Sequence, residues 1–130
     1  MQDKMVSYSS VLGVVVANKR KELGIEQSIL AEKMGLSQAS YSRLESGKST
    51  FSVDQMFECA RSLDISIEEL FSSVVNTVSN LESSDDVFVQ AQPRGNASKA
   101  KAAGGSSGAA TFVAGAALGA LIIGLAGKSK

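Results

Sequence analysis

Apolar residues recur at helical spacing through the first half of the chain, and Ser or Gly breaks the pattern at short intervals. A first helix is predicted over 12–23, stopped by Gly24 in a left-handed conformation. Its front half, from Val11 to Ala17, is apolar nearly all round. A solvent-facing helix shows a stripe instead, so one side of this segment is expected to meet a protein partner. A second helix fits 27–34, with Ile29, Leu30, Ala31 and Met34 on or near one face, and it stops at Gly35. Ser37 is placed to N-cap a third helix over 38–46, which turns Tyr41 and Leu44 inward and ends at Gly47. Ser52 with Gln55, and Ser66 with Glu69, have the spacing of capping boxes and open a fourth and a fifth helix.

Past the fifth helix the pattern changes. Ile67, Phe71, Val74, Val78 and Leu81 recur at alternating spacings of four and three, a heptad-like seam. Either this seam extends the fifth helix over 72–82 and pairs two chains, or it packs back on the domain; the Ser, Asn and Thr between are poor helix formers. Asp85, Asp86, Val87, Phe88 and Val89 suit an isolated short strand inside a Ser-, Gly- and Ala-rich stretch, 83–108, that otherwise reads as a flexible linker. Residues 109–127 carry no charge and are followed by Lys128 and Lys130. As a helix they would reach about 28 Å, close to the roughly 30 Å of a bilayer core. Gly115, Gly119 and Gly124, with Ala116 and Ala120, lie in rows of four-residue spacing that let helices approach closely in lipid. This segment is a candidate membrane anchor; the alternative is an Ala/Gly tail in solution or inside an assembly.

Composition narrows the function. The 130 residues include 13 Lys+Arg, 13 Asp+Glu, one Cys and no His. With no histidine, no nucleophile–base pair, no metal cluster and no phosphate-cradling loop, neither enzymatic activity nor a cofactor is expected. A lone Cys points to a reducing compartment, and Cys59 itself reads as a packing residue. Residues 1–71 hold 8 basic and 10 acidic side chains. Any affinity for nucleic acid must therefore come from where the cations sit, not from their number.

Two short helices joined by a Gly-containing turn make a helix-turn-helix. The run from Gly24 to Lys48, containing Gln27, Ala31, Gly35, Ser37, Gln38, Ala39, Ser40, Arg43, Leu44, Glu45 and Gly47, resembles the Cro/C1-type (XRE) repressors of phages and bacteria. The likeness continues from Ala60 to Leu70 and spans about residues 12–71. It implies an all-α fold: a five-helix domain over 10–71, the possible extension or dimerisation segment, the linker and the single C-terminal hydrophobic helix. It also implies double-stranded DNA as partner, with the third helix in the major groove. There Gln38 pairs with adenine or Arg43 with guanine, while Ala39 and Ser40 allow close approach and touch a thymine methyl or a phosphate. Gln27 meets the backbone and braces Gln38, and Arg20 and Lys48 are candidate phosphate contacts. Ser42 and Glu45 match positions that hold turns together. Departures from the family pattern are Glu26 where Ser or Thr is common, Ala17 where Arg is common, and Phe51 where Pro often precedes the fourth helix.

The reading that follows is a sequence-specific DNA-binding regulator, bacterial or phage-derived. It would be a homodimer or higher homo-oligomer, held at the cytoplasmic face of the inner membrane by 109–127, or else soluble in the cytoplasm. The alternative is a membrane-anchored adaptor whose helix-turn-helix grips a protein such as a cytoskeletal filament; Glu26, the acidic balance and the apolar first helix favour it.

Overall fold

Small polar residues start the helices and glycines end several of them. The computed structural model describes residues 4–84, 87–91, 111–112, 118–119 and 122. Five helices run in order: α1 (Tyr8–Glu22), α2 (Gln27–Lys33), α3 (Gln38–Ser46), α4 (Val53–Ser62) and α5 (Ile67–Glu82). Ser7, Ser37, Ser52 and Ser66 each accept a hydrogen bond from a backbone N–H in the first turn of the helix they cap. At Ser52 the capping box is reciprocal, with Gln55 bonded back to the cap. The first helix begins earlier than expected because Ser7 caps it. The fifth runs on to Glu82 despite its poor intrinsic propensity, because Leu70, Val74 and Leu81 are buried along it.

The apolar front of α1 needs no outside partner. Val11, Leu12, Val14 and Val16 all lie in the core, covered by the chain's own helices. This corrects the expectation of a protein partner there: α1 is apolar all round because α3, α5 and the first strand enclose it. Gly13 makes that enclosure possible. A Cβ at this position would lie 2.6 Å from the backbone oxygens of Leu44 and Glu45, so only glycine lets α1 cross α3 this closely. Phe51 buries its ring and donates its N–H to Ser9 Oγ at 2.9 Å, a bond that a proline at this position could not make.

The all-α expectation is corrected by a small parallel sheet. β1 (Lys4–Ser7) lies between β2 (Val87–Gln90) and β3 (Thr111–Phe112). Lys4 pairs with Val87 and Val6 with Val89; on the other edge Lys4 pairs with Thr111 and Met5 with Phe112. Val6 and Val87 are buried and join the helical core. The short strand expected over 85–89 forms over Val87–Gln90 and is not isolated: it pairs with β1, distant in sequence, and the 83–108 stretch is not wholly linker.

The single hydrophobic helix over 109–127 is corrected as well. Thr111–Phe112 is a strand paired to β1. Leu118 is helical and fully buried in the same core as α1 and α5, with Ile122 against it. Among the described residues no helix is long and apolar enough to cross a membrane. At Gly119 an added Cβ would meet nothing within 4 Å among the described residues. Gly115 and Gly124 lie outside the described residues.

Candidate nucleic-acid interface

The turn between α2 and α3 uses Gly35 at φ 74°, and Ser37 then starts α3 by accepting from the Ser40 N–H at 3.1 Å. Nine residues of α3 divide between two surroundings. Tyr41, Leu44 and Glu45 are buried, whereas Gln38, Ala39 and Arg43 are exposed and Ser40 is half-buried. The Ser40 hydroxyl accepts from Ser37 Oγ at 3.1 Å, which holds it in the first turn. At the other end, Gly47 takes φ 84° and closes the helix with its N–H directed at Leu44 and Arg43.

Glu45 organises the inner side. Its carboxylate accepts from Arg20 Nε at 2.6 Å, from the Arg20 second amino group at 3.3 Å, from the Tyr41 hydroxyl, and from Gln27 Nε2 at 2.8 Å. Arg20 spends its remaining amino group on the Ile25 carbonyl at 2.8 Å. One carboxylate therefore ties α1, α2 and α3 together. Burial alone would raise the Glu45 carboxyl, but the hydrogen bonds from Arg20, Tyr41 and Gln27 overcome it and hold it below the usual carboxylate range. The Glu45 hydrogen bond raises the Arg20 guanidinium against its desolvation, and burial with Glu45 nearby raises the Tyr41 hydroxyl. Among the described residues no buried side-chain polar atom lacks a partner.

Arg20 was expected to contact phosphate, and this is corrected. At 8% exposure, with each of its three nitrogens hydrogen-bonded to Glu45 or Ile25, its guanidinium is turned to the interior and away from the outer face of α3. Lys19, its neighbour, is tied to Glu22 at 3.6 Å and to Glu69 of α5 at 3.7 Å. Lys48 and Arg43 are exposed, and among the described residues neither joins an ion pair. Gln27 is half-buried at the start of α2, and its Oε1 accepts from Gln38 Nε2 at 3.4 Å. The structure therefore brings Gln27, Gln38, Ala39 and Arg43 onto one surface with Lys48 past the end of α3, and takes Arg20 out of it. Glu26 opens α2 without a side-chain cap bond. Cys59 is buried, and burial with Glu45 nearby pushes its thiol up to about 12, which keeps it an unreactive packing residue.

Glu45 is legible in the sequence as a residue that holds a turn, whereas its bond to Gln27 is not. The available signal was an acid on the inner face of a helix, four residues after a buried Tyr, where only pairing makes its burial tolerable.

A fold of this kind, with a tight turn and an exposed polar face on the second helix of the pair, defines a helix-turn-helix domain. The Helix-turn-helix family model matches residues 16–70. The transcriptional repressor RstR of cryptic phage CTXphi, from Vibrio cholerae, is 36% identical over 55 residues, covering 42% of this chain and 49% of its own. The chain thus spans about half the length of the curated relative it matches. Among solved structures, the clp gene regulator ClgR from Corynebacterium glutamicum aligns with a TM-score of 0.56 at 20% identity, covering 58% of this chain and 81% of that one. The wild-type restriction-modification controller protein C.Esp1396I aligns with a TM-score of 0.51 at 22% identity, over 53% and 88%. These two likenesses are of fold.

Proposed function

We propose that this chain is a sequence-specific DNA-binding transcriptional regulator of the Cro/C1 type that acts as a homodimer. The observation that carries the reading is the outer face of α3, where Gln38, Ala39 and Arg43 stand exposed while the inner face is locked by Glu45. A helix with an amide and a guanidinium exposed at its surface has the chemistry of major-groove readout. The likeness of residues 16–70 to a helix-turn-helix model, and of a 55-residue stretch to a phage transcriptional repressor, supports it. Dimerisation is supported by a groove of about 900 Å³ between α1, the α3–α4 loop and α5. Phe71 and Val75, each 51% exposed, stand at its edge on α5. A second copy covering them would present two reading helices to two half-sites, and paired weak contacts multiply.

The membrane anchor is left out of this reading, because Thr111–Phe112 and Leu118 are used by the domain itself. The adaptor alternative loses the docking face expected on the front of α1, because Val11, Leu12, Val14 and Val16 are buried by the chain itself. Binding of the full chain to DNA across salt concentration tests the reading. Affinity is expected to fall steeply as salt rises. Arg43→Ala is expected to weaken binding to a selected site by roughly tenfold to a hundredfold. No binding at low salt would refute it.

A further inference from the structure

We propose that Glu45 is a positioning residue for base recognition: acting through Gln27, it sets which way round the Gln38 amide faces a base edge. The proposal rests on the DNA reading above. A carboxylate only accepts hydrogen bonds. With Glu45 Oε1 2.8 Å from Gln27 Nε2, the Gln27 amide turns its nitrogen inward and its oxygen outward. That oxygen accepts from Gln38 Nε2 at 3.4 Å. Gln38 thereby directs one N–H at its own protein and keeps one N–H and its oxygen for the groove. A donor beside an acceptor matches adenine, whose N7 accepts and whose N6 donates. Guanine offers two acceptors, N7 and O6, and is served better by an amide with both N–H groups free.

The origin of this polarity is buried and its end is exposed. Gln38 by itself is a solvated side chain whose amide turns over freely, whereas Glu45, at 9% exposure, is held in place by Arg20 and Tyr41 and presents acceptors whichever way its carboxylate turns. The same bonds keep the carboxyl ionised well below neutral pH, so it remains a pure acceptor.

Selection of sites from a randomised duplex pool by the full chain tests the relay. Gln38→Ala identifies the base position concerned, as the one whose preference disappears. Gln27→Leu breaks the relay while keeping the Arg20 and Tyr41 bonds to Glu45 in place. It is expected to cut the preference for adenine over guanine at that position roughly tenfold. The salt dependence is expected to stay unchanged, since no cation is removed. Glu45→Gln, whose amide donates as readily as it accepts, is expected to lose the same preference and also to melt at lower temperature. Leu63→Ala lowers melting without reaching the relay, and it is expected to keep the preference; this separates positioning from instability. An unchanged preference in Gln27→Leu, or the absence of any position dependent on Gln38, overturns the relay while DNA reading stands. Failure of the wild-type chain to select any sequence overturns both.

Discussion

On the inner side of α3, Tyr41, Leu44 and Glu45 are buried, and the Glu45 carboxylate is taken up by Arg20, Gln27 and Tyr41. On the outer side of the same nine residues, Gln38, Ala39 and Arg43 stand in solvent, and the bond tying Gln38 to the rest of the domain is the long one to Gln27. The difference shows how a small domain can place an exposed polar face without stiff outer side chains. Order is built where water is absent and each hydrogen bond is strong; the outer face then inherits its placement and loses less freedom on binding. Glu45 is the joint between the two regimes.

The comparison breaks most sharply at that joint. Glu45→Ala leaves the Arg20 charge buried and unpaired, and it should cost about 3–5 kcal/mol in urea unfolding. A loss under about 1 kcal/mol would place Arg20 and Glu45 at a wet surface instead. Gly13→Ala comes next. Its methyl would press on the Leu44 and Glu45 carbonyls and drive α1 off α3, for about 1–3 kcal/mol. If DNA affinity then falls by more than stability alone explains, the seating of α3 on α1 matters for reading.

Acid sharpens the same contrast. The Glu45 carboxyl titrates lower in the folded chain than in the unfolded one. Its contribution to stability is therefore complete above about pH 4.5 and drains away as pH falls through the lower folded value. Glu45→Gln should flatten that acid limb in unfolding measured from pH 6 downward, and an unaltered limb would assign acid sensitivity elsewhere. The smallest effect belongs to the outer face. Lys48→Ala should leave stability within about 0.5 kcal/mol while reducing the salt slope of DNA binding by about one.

Much of this was legible in the amino acids. Gly24, Gly35 and Gly47 mark stops with positive φ, and Ser37, Ser52 and Ser66 mark starts, because capping is a local matter of one side chain and one N–H. Gln38, Ala39 and Arg43 were readable as an outer face once Tyr41 and Leu44 were known to point in. Arg20 was misread, since a basic residue in the last turn of a helix looks the same in sequence whether it meets solvent or a buried carboxylate 25 positions away. The sheet was missed for a related reason. Strands of two to four residues carry too little periodicity to stand out, and the pairing of Lys4 with Val87 and with Thr111 is recorded only in space.

The residue pattern by itself determined five helices, their order and the side of α3 that is polar, because helical periodicity and capping act within a few residues. Tertiary structure alone decided that Arg20 belongs to Glu45, that Gln27 is turned by it, that α1 is enclosed, and that Leu118 lies in the core instead of a separate hydrophobic helix. Those outcomes depend on which surfaces exclude water together, and contacts between distant positions leave no local trace in the order of amino acids.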